Sequence, residues 1–255
     1  MSRISDAFNN KKLFIPFITA GDPDLDSTYR YVLKMVEAGA GLIELGVPFS
    51  DPIAEGPVIQ SANVRSLSHG TTIDDIFELV KRLRKETRVP IVFMGYLNSF
   101  FKYGYDKICQ NTVDAGADGF IIPDLPFEEK DELKEYTDKY GLELISMIAP
   151  TSKERIRAIA SEANGFIYLV SSLGVTGTRD KIETDVESIV KEIRKCTDTP
   201  VAVGFGIHTP EQVRKVVSYA DGAIVGSAIV NIAAEKKDKA DQAIYDYVKS
   251  MADAL

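Results

Sequence analysis

Two carboxylates stand close together in the sequence in settings that could move protons. Glu44 lies inside the apolar run Leu42 to Leu45, flanked by Ile43 and Leu45, so two-residue alternation sends its side chain to the opposite face from both neighbours. Facing into a sheet interior, such a carboxylate is desolvated, its pKa rises, and it can both take and give a proton near neutral pH. The same position also suits a structural acid paired with a buried lysine or with backbone. Glu55, in Ile53-Ala54-Glu55-Gly56-Pro57, sits on a loop bracketed by Pro52 and Pro57 and reads, by position alone, as a solvated loop acid.

Late in the chain the signal changes from carboxylates to glycines. Gly174-Val175-Thr176-Gly177, Gly204-Phe205-Gly206 and Gly226-Ser227 each follow an apolar run, where backbone N–H groups could approach a ligand. Read together they form a phosphate cradle, with a helix N-terminus starting at Ser227 as a further anion contact. Read singly, each is a turn. Gly204-Phe205-Gly206 lacks the third glycine of a dinucleotide fingerprint, and there is no P-loop lysine pattern. His69 and His208 have no partners at metal-ligand spacing and read as exposed or capping histidines. Cys109 and Cys196 fall far apart within helical patterns and read as reduced packing residues.

The elements that must position these groups form a regular series. Apolar runs at Leu13 to Thr19, Leu42 to Leu45, Ile91 to Met94, Gly119 to Ile122, Leu142 to Ile148, Phe166 to Val170, Val201 to Val203 and Ala223 to Val225 give eight candidate strands. Helical spacing fills the gaps at Thr28 to Ala38, Thr72 to Glu86, Tyr105 to Ala115, Lys130 to Tyr140, Lys153 to Ala163, Val186 to Cys196 and Pro210 to Ser218, with a last helix over Lys239 to Ala254. The joints Ala38-Gly39-Ala40-Gly41, Ala115-Gly116-Ala117-Asp118-Gly119 and Ala220-Asp221-Gly222-Ala223 echo one another at helix-to-strand turns. No linker interrupts the series. It predicts one domain over residues 1–255, a single (β/α)8 TIM barrel with an additional N-terminal helix. Chemistry is then expected at the C-terminal ends of the strands, where the first run ends in Thr19-Ala20-Gly21-Asp22-Pro23 and the fourth in Pro123-Asp124-Leu125-Pro126.

Composition narrows the partners. The 255 residues are 45% hydrophobic and 27% charged, an ordinary globular mixture. A formal charge of -8 gives no general field for a nucleic-acid backbone or an anionic membrane, while leaving room for a local anion site. Met1 to Lys12 lacks the apolar core of a secretory signal, and no apolar run approaches bilayer length, so a cytoplasmic location is expected.

Over nearly its whole length the chain resembles the α subunit of tryptophan synthase. The resemblance rests on Pro16-Phe17-Ile18-Thr19-Ala20-Gly21-Asp22-Pro23, Glu44-Leu45-Gly46-Val47-Pro48-Phe49-Ser50-Asp51-Pro52, Ser172-Leu173-Gly174-Val175-Thr176-Gly177, Gly204-Phe205-Gly206-Ile207 and Gly226-Ser227-Ala228-Ile229-Val230. It implies a carbon–carbon lyase of tryptophan biosynthesis that splits indole-3-glycerol phosphate into indole and glyceraldehyde 3-phosphate by a retro-aldol reaction, without a cofactor of its own. By resemblance Glu44 is the general acid/base, Tyr168 lies beside it, and Phe17 lines the indole pocket. Glu55 falls where the family has an aspartate that polarises the indole N–H; the motif here is Ala-Glu-Gly-Pro. Thr176, Gly177, Phe205, Gly206, Gly226 and Ser227 would bind the substrate, and Thr178, Arg179 and Asp180 belong to a segment resembling a lid. Asp51, Pro52 and Ile53, with Asn98 to Phe101, would face a pyridoxal-phosphate-dependent β subunit in an α2β2 heterotetramer. Two other functions fit a related barrel: a non-enzymatic activating partner of another subunit, or a lyase or isomerase of another sugar phosphate.

Overall fold

Runs such as Phe14-Ile15 and Ile91-Val92-Phe93, apolar at consecutive positions, can be satisfied only when both faces of a strand are buried, as in a parallel sheet covered by helices. The computed structural model, which describes residues 2–9, 11–151, 153–171, 185–204 and 206–255, has that arrangement. The strands are β1 (Leu13–Thr19), β2 (Ile43–Gly46), β3 (Ile91–Met94), β4 (Gly119–Ile121), β5 (Glu143–Leu144), β6 (Ser146–Ile148), β7 (Ile167–Val170), β8 (Val201–Gly204) and β9 (Gly222–Val225). All ladders among them are parallel, and β1 sits between β2 and β9 in the order β5-β4-β3-β2-β1-β9-β8-β7-β6. The expected fifth strand, Leu142 to Ile148, is divided at Ile145: β5 pairs with β4, and β6 with β7. Counted as one strand, the two halves complete the eight of a (β/α)8 barrel.

Two apolar layers follow from strand alternation. Leu13, Ile15 and Phe17 of β1 join Val92, Ile121, Tyr168 and Ala202 inside the barrel, and Phe14 and Ile18 join the layer under the helices. The barrel floor is plugged by α1 (Arg3–Phe8), whose buried Ile4 and Phe8 belong to the inner layer; the Phe8 ring lies 5.6 Å from that of Phe166. Helices α2 (Leu25–Glu37) and α4 (Ile73–Leu83) begin at side-chain caps, Asp24 and Thr72, that satisfy N–H groups of their first turns.

Some helices depart from the expected pattern. The chain forms α3 (Pro57–Ser68), α5 (Leu97–Tyr103) and α11 (Ser227–Lys236), and of these only the start of α11 is marked in the sequence. The expected Thr28–Ala38, Lys153–Ala163, Val186–Cys196 and Lys239–Ala254 become α2, α8 (Lys153–Ser161), α9 (Val186–Ile193) and α12 (Ala240–Ala252). The earlier start of α2 follows its cap at Asp24, which periodicity alone does not locate, and α8 and α9 start where expected but end two and three residues sooner.

The floor is tied by two similar polar clamps. Asp118 accepts hydrogen bonds from the Ile91 N–H at 2.8 Å, Arg84 at 2.8 Å and Arg3 at 2.6 Å, while Arg84 also reaches the carbonyls of Gly116 and Val89. Asp221 accepts from the Val201 N–H at 2.8 Å and from Arg194, which reaches the Thr199 carbonyl at 2.9 Å; Lys12 lies 3.6 Å from Asp221.

Candidate active site

Glu44 is the second residue of β2, in register with Phe17 of β1 and Val92 of β3, both on the inner face. Only 1% of it is exposed, and one of its carboxylate oxygens has no hydrogen-bond partner among the described residues. Burial, and after it the charge of Glu55, raises its pKa to about 8. No lysine is buried among the described residues, so the lysine-paired form of the structural-acid alternative lacks its partner there.

Glu55 departs from the solvated loop acid that its position suggested. It is buried, because α3 begins two residues later and draws the loop over the barrel mouth. Its carbonyl accepts a hydrogen bond from the Gln60 side-chain amide at 2.7 Å. Its carboxylate lies beside the Tyr96 hydroxyl, which accepts from the Ala54 N–H at 2.9 Å, and the Tyr96 ring stacks on Phe49 at 5.1 Å. Burial is the main cause that raises the Glu55 pKa to about 7; the Tyr96 hydroxyl opposes it, and the charge of Asp124 adds to it. Asp124 also accepts from the Leu97 N–H at 2.9 Å and so fixes the start of α5 beside Tyr96. Tyr96 is a residue at the acid pair that sequence reading did not single out. Its signal was its place just after the third apolar run, where barrel chemistry is expected.

Tyr168 of β7 is buried on the inner face, and burial followed by the Glu44 charge holds its hydroxyl well above the ordinary phenol range. Gly204 makes room for it: a Cβ at that position would lie 2.4 Å from the Tyr168 hydroxyl. This gives the glycine of the Gly204-Phe205-Gly206 segment a packing duty beside the expected cradle. Phe17 is clamped in the same way, since a Cβ on Gly46 would meet its ring at 2.6 Å and one on Gly226 at 3.2 Å.

Ser227 is buried at the start of α11, a ten-residue helix whose N-cap, Gly226, makes no side-chain cap bond and accepts at its carbonyl from the Ile229 and Val230 N–H groups. Gly206 has φ +81°, a conformation that favours glycine. Thr176, Gly177 and Phe205, with the lid segment Thr178, Arg179 and Asp180, lie outside the described residues. A cavity of about 650 Å³ opens beside Ala54; its lining runs from Ile122, Met147 and Val170 out to the charged Lys130, Glu143 and Arg155, and includes neither acid of the pair nor Phe17 or Tyr168. His69 and His208 bond the carbonyls of Arg65 and Gly206. Asp51 and Ile53 lie on the outer surface, Ile53 being 73% exposed, with Pro52 half-buried between them; Phe101 on α5 is 65% exposed.

The arrangement places two carboxyl groups, the pKa of each raised by burial, at one barrel mouth together with the start of α11. Comparison with known proteins agrees in extent. The family model described as tryptophan synthase alpha chain matches residues 5–254. The tryptophan synthase alpha chain of Lacticaseibacillus casei is 48% identical, covering all of this chain and 96% of its own length, and that of Thermoanaerobacter sp. (strain X514) is 46% identical with full coverage of both. Among solved structures, tryptophan synthase subunit alpha from Legionella pneumophila str. Paris is 40% identical, with a TM-score of 0.89 over all of this chain and 98% of that one. A chain of the tryptophan synthase complex from Pyrococcus furiosus is 35% identical, with a TM-score of 0.87 over 94% of this chain and 98% of that one. From residue 5 to residue 254, then, this barrel with its buried acid pair belongs to the tryptophan synthase alpha chain family.

Proposed function

We propose that the chain splits indole-3-glycerol phosphate into indole and glyceraldehyde 3-phosphate. The observation that carries the reading is the pair of buried acids at one barrel mouth, Glu44 at about 8 and Glu55 at about 7. Protonated Glu44 gives its proton to indole C3, and the ring nitrogen takes up the positive charge, stabilised by the Glu55 carboxylate through the N–H. Glu44, now a carboxylate, removes the proton of the glyceryl hydroxyl. The carbon–carbon bond breaks, its electrons return to the ring to form indole, and the O–H pair becomes the aldehyde C=O. Glu44 ends protonated, as it began. A pKa near neutrality suits a group that acts first as acid and then as base. Tyr168 packs beside Glu44, Phe17 receives the indole, and Gly206, Gly226 and Ser227 receive the phosphate, with Thr176, Gly177 and Phe205 completing the cradle.

A steady-state assay with indole-3-glycerol phosphate tests this. Indole release at a rate that rises when a β subunit is added is the expected result; no indole under either condition would overturn the reading.

The partner in this reading is a pyridoxal-phosphate-dependent β subunit, in an α2β2 assembly, that joins the released indole to serine. The exposed Ile53 beside Asp51 and Pro52, and the exposed Phe101, support a docking face at the barrel mouth. Asp51→Lys should weaken assembly with the β subunit at least tenfold while leaving the isolated chain folded, as read by analytical ultracentrifugation. Unchanged assembly would count against this face. The reading includes a cytoplasmic location, for which the free thiols of Cys109 and Cys196 are the physical support.

A further inference from the structure

Among the described residues, buried side-chain oxygens without a hydrogen-bond partner occur at Thr19, Glu44, Glu55 and Thr112. Two of these are the acid pair. Thr112 lies on α6 (Tyr105–Ala115), in the helical layer away from the mouth. Thr19 is different: it ends β1, on the same inner face as Ile15 and Phe17, and is enclosed to the same degree as Glu44, 0% against 1% exposed.

Its place in the sheet says what could satisfy it. β1 runs between β2, which carries Glu44, and β9, which leads into Gly226 and Ser227. Phe17 pairs with Glu44, and Thr19, two residues further on, pairs with Gly46, so its hydroxyl stands about 7 Å nearer the mouth, opposite a residue with no side chain. The segment of substrate that joins the carbon served by Glu44 to the phosphate held at Ser227 must cross this strand. That segment is a short chain bearing hydroxyl groups.

We propose that Thr19 is a further substrate-binding residue, whose otherwise unpartnered hydroxyl hydrogen-bonds a hydroxyl of the three-carbon phosphorylated chain between the proton-transfer site and the anion cradle. The proposal rests on the substrate reading above. An enclosed hydroxyl left unpaired in the free protein is a cost to the fold, and a ligand oxygen that completes it recovers that cost on binding.

Thr19→Val keeps the branched shape and removes only the hydroxyl. Its kcat/KM for indole-3-glycerol phosphate should fall about tenfold, the scale of one lost hydrogen bond. Glycerol 3-phosphate, followed by calorimetry, should bind more weakly by a similar factor, and indole should bind as before. Thr19→Ser, which keeps the oxygen, should stay within about threefold of the parent. Thermal unfolding separates this from damage, because Thr19→Val should melt about 2–4 °C higher once the unpaired group is gone. Should Thr19→Val not fold, Thr19→Ala is read by the same binding measurements. Unchanged glycerol 3-phosphate affinity in the folded variant lacking the hydroxyl, or equal loss in Thr19→Ser, would overturn the assignment. The calorimetry needs no turnover, so a parent chain that fails to release indole would refute the reaction without being confused with a failure at Thr19.

Discussion

Glu44→Gln should lower cleavage of indole-3-glycerol phosphate by at least about 100-fold and, at the same time, make the protein more stable above neutral pH. The loss follows from removing the group that carries the proton in both directions. The gain follows from its pKa, which is raised from the ordinary carboxylate value to about 8 by burial. In the unfolded chain Glu44 ionises near 4.5, whereas in the folded chain it holds its proton until about pH 8. Below pH 4.5 both states are protonated and nothing is lost. As pH rises from there through 8, the unfolded state is increasingly favoured by its free ionisation, and the parent loses stability that the glutamine variant keeps. At pH 8 the difference should be of the order of 2–4 kcal/mol, vanishing near pH 4. Urea unfolding of both proteins at the two pH values measures it. A folded Glu44→Gln protein with parental turnover would remove Glu44 from the mechanism, and equal stabilities at pH 8 would mean that the carboxyl is not held neutral.

Glu55→Ala should cost a comparable factor, about 100- to 1,000-fold in kcat, the range seen when one group aimed at a developing charge is lost. It should also move the pH profile. The Glu55 charge is the second cause of the raised Glu44 pKa, so its removal lets Glu44 ionise at lower pH. The parent's kcat/KM should rise through about pH 7 as Glu55 ionises and fall above about pH 8 as Glu44 loses the proton it must donate; the residual activity of the variant should lack the first limb and begin its fall at lower pH. Glu55→Asp should stay active, since it keeps the charge while losing reach toward Tyr96. Parental turnover in Glu55→Ala would show that indole is polarised from elsewhere.

How far such behaviour was legible in the sequence depends on what fixes each residue. Glu44 was legible because alternation within an apolar run is local, and β2 needs only its own residues to choose a face. Strand positions agree to within about a residue for the same reason, apart from the division of the fifth at Ile145. Glu55 was not legible: its burial depends on α3, whose exposed Val64 and Leu67 spoil the apolar stripe that would have marked a helix, and on Tyr96, far along the chain. The glycines were legible as backbone signals. That Gly204 and Gly226 also clear space for Tyr168 and Phe17 is a tertiary fact, set by which strands become neighbours.

The two clamps under the barrel have a consequence for how the molecule divides. In each, an arginine at a helix end stands seven residues before a strand, at Arg84 before Ile91 and at Arg194 before Val201, and it holds the aspartate that opens the next strand. With β5 and β6 taken as one strand, the clamped pairs β3–β4 and β8–β9 stand four strands apart, half a turn around the axis. The base thus has an internal twofold symmetry, as though one four-stranded module had been used twice. The upper rim breaks that symmetry by division of labour: the first module supplies both acids, Glu44 and Glu55, and the second supplies Tyr168 and the glycine turns proposed above as the phosphate cradle. Holding the floor by a repeated device leaves each module's loops free to specialise in one end of the same substrate.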